Sequence, residues 1–244
     1  MSEPVIALDA MGGDRAPEAL VEGAAVAVRE GLSILLVGDE SVLAPLIPSD
    51  ISLPILHASA TIGDDEAPSK AVRQKPQASI NQAIQAVVDG RAAAAVSCGH
   101  TGAAMASALF GLGRCTGVSR PAIATAVPRA DGGSLVLLDL GANVDCKPSH
   151  LAQFALMGHC FAETVLEIPS PRVGLVSNGV EASKGTEQTR TAVELVAQLP
   201  VESVGFIEPQ DALKGGCDVL VCDGFVGNVM LKTVEATASL VGQI

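Results

Sequence analysis

Residues 5–37 read VIALDAMGGDRAPEALVEGAAVAVREGLSILLV. The stretch opens with an apolar run, 5–9, that fits a strand buried on both faces. A glycine-rich turn follows: Asp9-Ala10-Met11-Gly12-Gly13-Asp14. A helical period is predicted over 17–30, with Pro17 in its first turn and Gly31 at its end. A second apolar run, 34–37, stops at Gly38-Asp39. Repeated strand–turn–helix units of this kind predict a largely parallel sheet with right-handed crossovers.

Working outward, the same pattern recurs. Residues 54–57 read as a short strand, 78–89 as a helix stopped by Gly90, and 92–97 as a strand. The turn Cys98-Gly99-His100-Thr101-Gly102 leads into a helix over 103–111. Residues 122–127 and 134–139 read as adjacent strands around a turn at 129–133. A helix is expected over 149–162 with Ser149 as N-cap, and another over 186–198. Further strands are expected at 172–177, 203–207 and 218–222. The polar stretch 58–77, with Pro68 and Pro76, reads as a mobile loop or an insertion. The fold class is therefore α/β, a largely parallel sheet flanked by helices, in a single domain over 1–244. Ligands in such sheets bind beyond the carboxyl ends of the strands, where the glycine-rich turns lie.

Composition supports this and excludes alternatives. Hydrophobic residues make up 48% of the 244 and charged residues 17%; five Phe are the only aromatics. Ala, Val and Leu must fill the core, which favours close helix–sheet packing. A chain of this size needs no disulfide or metal to fold. The net charge of −12 disfavours a nucleic-acid partner. It also repels an acidic carrier protein, so any anionic substrate must be held by a local site. The six cysteines form no C-x-x-C pair and read as reduced, mostly buried thiols of a cytoplasmic protein. No metal site and no cofactor are expected. No signal peptide is read at the start, and no apolar window is long enough to span a membrane.

Five strand-end turns carry the candidate chemistry. Asp9, Gly12, Gly13 and Asp14 form an anion cradle at a helix N-terminus, or an ordinary tight βα turn. The turn lacks the dinucleotide and P-loop patterns. Ser97, Gly99, His100, Thr101 and Gly102 form a second cradle, in which His100 donates to an oxyanion, shuttles a proton, or is a plain turn histidine. Cys98 has no identified base and is a weak nucleophile candidate. In the third turn, 139–145, Asn143 binds substrate or orders the loop. Lys184, in the fourth, 177–185, adds a positive charge near a helix start or lies solvated. In the fifth, Asp223 and Gly227 precede Asn228, which offers a donor and acceptor amide or acts as an N-cap.

The chain resembles the bacterial acyl-carrier-protein:phosphate acyltransferases of phospholipid synthesis. The matching stretches are IALDAMGGDRAPE (6–18), VSCGHTGAAMA (96–106), RPAIAT (120–125), LLDLGANVDCKP (137–148), QFALMG (153–158), EASKG (181–185) and VCDGFVGNVMLKT (221–233). The resemblance implies transfer of a long-chain acyl group from acyl carrier protein to inorganic phosphate. It implies a sheet related to phosphotransacetylases and isopropylmalate-type dehydrogenases, homodimers, and peripheral membrane contact. It places Lys184 and Asn228 at the family's catalytic positions. The family's usual Asn reads His100 here; its N-I-G-E-E reads Ser177-Asn178-Gly179-Val180-Glu181; its E-G-x-D reads Glu208-Pro209-Gln210-Asp211. The family also continues past the position of Ile244 with helices that serve the dimer and the membrane, which this chain is expected to lack.

The mechanism implied is direct attack of phosphate, held by the turns and Lys184, on the thioester carbonyl, with Asn228 and backbone N–H groups stabilising the oxyanion. Two other functions fit the residues: a short-chain phosphotransacetylase using an acyl-CoA, and a catalytically silent binding or regulatory protein.

Overall fold

Four parallel strands form the first sheet of the computed structural model, which describes residues 3–243. They are β1 (Val5–Asp9), β2 (Ser33–Gly38), β3 (Ile55–His57) and β4 (Ala94–Ser97), in the order β3-β2-β1-β4. The helices are α1 (Glu18–Arg29), α2 (Glu40–Leu43), α3 (Pro68–Gln74), α4 (Ser79–Val88) and α5 (Thr101–Gly111). Successive side chains of a strand point to opposite faces. Accordingly Ile34 and Leu36 of β2 pack with Val21 and Ala24 of α1, while Leu35 and Val37 pack with Ala83 and Ala86 of α4. Burial on both faces explains why β2 is continuously apolar rather than alternating.

The second sheet has five strands: β5 (Ala124–Pro128), β6 (Ser134–Leu138), β7 (Arg172–Val176), β8 (Glu202–Ile207) and β9 (Val219–Val221). Their order is β5-β6-β9-β7-β8, and only β5 is antiparallel to its neighbour. Its helices are α6 (Pro148–Thr164), α7 (Glu187–Val196), the single turn α8 (Pro209–Asp211) and α9 (Gly224–Val241). Val136 and Leu138 of β6 meet Leu151, Phe154 and Ala155 of α6. Leu135 and Leu137 meet Leu140, Ile207 and Leu220 on the other face.

The α/β class and the parallel flanked strands are as expected, but the strands are shared between two sheets. By contacts the chain divides into two compact units, Met1–Gly113 and Arg114–Ile244. The stretch 58–77 contains α3, which starts on Pro68 after the extended Ala67. Proline suits a first helical position, so it opens this helix instead of breaking it. Ser149 is not an N-cap: α6 starts at Pro148, with Lys147 in the cap position. Asn228 lies inside α9, whose N-cap is Asp223. Gly224 and Gly227, which read as turn residues, belong to that helix. The cysteines are not mostly buried: Cys217 and Cys222 are, whereas Cys98, Cys115 and Cys160 are exposed. No helix among the described residues is long and apolar enough to cross a membrane.

One ion cluster anchors the amino end of β9. Asp218, 6% exposed, accepts hydrogen bonds from Arg172 Nε (3.0 Å), Arg172 N (2.9 Å) and Arg129 Nη1 (2.5 Å). Burial pushes the Asp218 carboxyl up, but the bonds from Arg172 and Arg129 outweigh it and hold it below its ordinary 3.8. A depressed carboxyl contributes stability above its unfolded pKa, and that stability is lost as pH falls through the folded value. Asp218→Ala leaves two arginines facing an empty site and is expected to cost about 3 kcal/mol or more. Denaturant melts check this. The gap between wild type and variant should be constant above about pH 5 and shrink below pH 4.

Candidate active site

In the first unit the chain runs from β1 outward to β2 and β3, then returns to place β4 on the other side of β1. The carboxyl ends of β1 and β4 therefore flank the point where the strand order reverses, the usual ligand position in open α/β sheets. Asp9 and Ser97 end these strands in register. Ser97 Oγ donates to Asp9 Oδ2 at 2.7 Å, Met11 N donates to Asp9 Oδ1 at 3.3 Å, and Gly99 N donates to Ser97 Oγ at 3.1 Å. The two turns touch through their backbones: a Cβ on Gly12 would sit 2.9 Å from Gly99 Cα. Gly13 and Asp14 are exposed beyond this contact, as is Thr101 at the first position of α5.

His100 is the N-cap of α5, with Nδ1 accepting from Gly102 N at 3.1 Å. A neutral ring with Nδ1 accepting carries its proton on Nε2, so one N–H donor remains for a ligand. A small cleft here is lined by Asp9, Gly12, His100, Thr61, Ile62 and Ser79, among others. No sequence pattern points to Thr61 and Ser79. They come together because 60 and 78 form an isolated parallel bridge and Ser79 N donates to Ala60 O at 2.9 Å.

In the second unit three adjacent parallel strands, β6, β9 and β7, send their following segments to one edge of the sheet. After β6, Asp139 is fully buried. Its Oδ1 accepts from Ile123 N (3.0 Å), Gly141 N (3.3 Å) and Ala142 N (3.0 Å). Its Oδ2 accepts from Asn143 N (2.7 Å) and Asn143 Nδ2 (2.8 Å). Asn143 Nδ2 also donates to Pro121 O at 2.7 Å, so both amide hydrogens are engaged internally.

After β9, the Asp223 carboxylate accepts from Val226 N at 2.9 Å and caps α9. Gly224 N donates to Asn143 O at 2.8 Å. Gly227 sits against the Asp139 carbonyl, where a Cβ would come within 1.9 Å of the oxygen. Asn228, one residue on, is exposed, and a Cβ added at Gly141 would lie 3.7 Å from its Cβ.

After β7, Asn178 Oδ1 accepts from Gly185 N at 3.2 Å and folds the 177–185 loop on itself. Lys184 is half-buried, its stem lying over Gly179, where a Cβ would meet Lys184 Cγ at 3.0 Å. Among the described residues Lys184 has no ion-pair partner. The second unit thus brings Lys184, Asn228, Asn143, Asp223 and Gly227 to one sheet edge. Asp9 to Asp14 and Ser97 to Gly102 share an edge in the first.

Two thiols border the Asn228 turn. Burial, with Asp139 and Asp223 nearby, pushes the Cys146 thiol up to about 11. Burial, with Asp223 and Asp139 adding to it, raises Cys222 further still. Both stay protonated at neutral pH, so neither is an activated nucleophile. Among the described residues no group of three or more His, Cys, Asp or Glu is placed to hold a metal ion.

The fold is that of the phosphotransacetylases. A phosphotransacetylase from Streptococcus pyogenes superposes with a TM-score of 0.73 at 19% identity, over 97% of this chain and 82% of its own. The phosphotransacetylase EutD from Staphylococcus aureus gives 0.67 at 17%, over 97% and 83%. Sequence narrows the class. The profile of the family described as "Fatty acid synthesis protein" matches residues 5–244, and the chain belongs to that family. A relative from Desulforudis audaxviator, named phosphate acyltransferase, is 52% identical over 94% of this chain and 69% of its own. Another of that name from Desulforamulus reducens is 51% identical over 96% and 71%.

Substitutions at two positions test the architecture. Gly227→Ala drives a methyl into the Asp139 carbonyl, and a loss of about 3 kcal/mol or more is expected in thermal melts. His100→Ala removes the α5 cap at a cost of about 1 kcal/mol, whereas His100→Asn, a good N-cap, should melt close to wild type.

Proposed function

We propose that this protein transfers a fatty acyl group from the thioester of acyl carrier protein to inorganic phosphate. A phosphate oxygen attacks the thioester carbonyl carbon, a C–O bond forms and the C–S bond breaks. The carrier thiolate takes the proton that phosphate gives up. The products are acyl phosphate and free carrier. Lys184 neutralises phosphate, and the Asn228 side-chain amide donates to the oxyanion of the tetrahedral intermediate. The first-unit turns, with Asp9, Gly12, Gly13, Asp14, Ser97, Gly99, His100, Thr101 and Gly102, bind substrate.

The observation that carries this reading is the sheet edge after β6, β9 and β7. It carries a lysine with no ion-pair partner among the described residues and an exposed amide near the start of a capped helix, in a chain whose relatives are named phosphate acyltransferase. A thiolate leaves readily, so the reaction needs no strong general acid and no enzyme thiolate. Protonated Cys146 and Cys222 are consistent with direct displacement. Homodimer formation and peripheral membrane contact belong to the same proposal. Phe225, Val229, Val234 and Leu240 of α9, all exposed, support an apolar surface that another copy or a lipid face would cover.

The test uses acyl-carrier protein and labelled phosphate. Lys184→Ala and Asn228→Ala are each expected to lower kcat/KM by about 10²–10³-fold, with melting temperatures unchanged. Near-normal kinetics in both variants would remove these roles.

A further inference from the structure

Acidic residues are unevenly placed along this chain. Residues 67–113 carry four cations, Lys70, Arg73, Lys75 and Arg91, and one acid, Asp89, whereas the whole chain has 15 basic and 27 acidic residues. The cations concentrate on α3. Lys75 is paired with Glu66 at 2.7 Å, but Lys70 and Arg73 are exposed and have no ion-pair partner among the described residues. The nearest acids in sequence, Asp64, Asp65 and Glu66, lie on the loop before α3, and of these Glu66 is taken up by Lys75.

Beside Arg73 a groove of about 470 Å³ opens among α3, α4 and α5. Its walls include Val72, Ile84, Phe110 and Gly111. The Arg73 guanidinium stacks on the Phe110 ring, 4.6 Å from its centroid. Phe110 is 44% exposed and Leu112 53%. The floor is fixed: Asn81 Nδ2 donates to Val72 O (2.9 Å) and Lys75 O (2.8 Å), and Ser107 Oγ donates to Asn81 Oδ1 (2.7 Å).

We propose that this α3–α5 face is where the acidic carrier protein docks, with Lys70 and Arg73 meeting its carboxylates and Phe110 its apolar contact. The proposal rests on the acyl-transfer reading above. Charge complementarity selects the occupant. An isologous contact between two copies centred on Lys70 and Arg73 would set these cations against their own duplicates at the two-fold axis. Placement fits too. The face begins at the candidate site, where α3 starts against α5: a Cβ on Gly102 would lie 2.9 Å from Pro68 Cγ. Phe110 is ten residues past His100, about 15 Å along the helix axis. A thioester carried on a flexible arm would span such an offset from the docking face to the substrate-binding turns of the same unit.

The experiment compares wild type with the exposed double variant Lys70→Glu/Arg73→Glu and with Arg73→Gln, each confirmed folded by its melt. Acyl-carrier protein and a neutral acyl-pantetheine thioester serve as donors, and carrier binding is also titrated directly at two salt concentrations. The double variant should raise KM for acyl-carrier protein and the Kd for carrier by about tenfold or more, with Arg73→Gln intermediate. Wild-type binding should weaken with salt. The double variant's kcat, KM for phosphate and kinetics with acyl-pantetheine should stay within twofold of wild type. Unchanged carrier affinity overturns the proposal. So does an equal loss with acyl-pantetheine, a loss confined to anionic phosphatidylglycerol vesicles, or a changed oligomeric mass. Should wild type form no acyl phosphate from either donor, the reaction reading fails by itself. The titration then still decides the docking face.

Discussion

The second unit's candidate site hangs on one buried carboxylate. Asp139 ends β6 with no solvent exposure and collects five N–H donors from 123 and 141–143. A buried carboxylate left without donors would be prohibitively costly, so the loop after β6 has one way to fold. That loop fixes Asn143, whose carbonyl accepts from Gly224 N at the first residue of α9. The carbonyl of Asp139 itself lies against Gly227. Position passes from carboxylate to loop to helix start, and Asn228 is the exposed end of that chain. The proposed role of Asn228 requires its amide to be held to a fraction of an ångström, and the helix start that carries it is supported by backbone hydrogen bonding, which has no rotamer freedom to lose.

The first unit solves a similar problem with less charge. Asp9 again ends a strand and is buried, but it binds one hydroxyl and one backbone N–H. Close approach of Gly12 to Gly99 then locks the two turns together. His100 inherits a fixed tautomer because capping α5 uses Nδ1. At this position the residue implied by the resemblance is Asn. Both side chains can accept from the helix N–H groups, so the exchange preserves the cap while replacing an amide with a ring N–H as the outward donor.

What the sequence revealed follows from the range over which each signal acts. Apolar runs ending in glycine turns are local, and the nine strands lie close to where those runs place them. Helix α3 was missed because two prolines suggested a loop, although Pro68 starts the helix and Pro76 follows its end. The start of α9 was misplaced because Gly224 and Gly227 look like turn residues; close approach to 139 and 143 requires them inside a helix. The partition into two sheets, and the Asp218 cluster joining positions 89 residues apart, have no local signature at all. Lys184 and Asn228 stood out from the other turn residues only through the family resemblance. No spacing rule distinguishes an exposed amide that acts on substrate from one that caps a helix. Thr61 and Ser79 had no signal beyond being hydroxyls near a predicted helix start.

For the proposed docking of an acidic carrier, the acidity of the chain is offset by distance. At physiological ionic strength charges separated by much more than about 8 Å are screened from one another. A net charge of −12 spread over the molecule therefore slows approach but does not decide contact. Contact is decided by the charges within one screening length of the docked surface, and on α3 those include Lys70 and Arg73. Stacking on Phe110 holds the Arg73 guanidinium in place, reducing the side-chain entropy that an exposed cation must otherwise lose on binding. A local basic face on an acidic protein also gives orientation. On the docking proposal, like charge elsewhere on an acidic surface disfavours other approaches of the carrier.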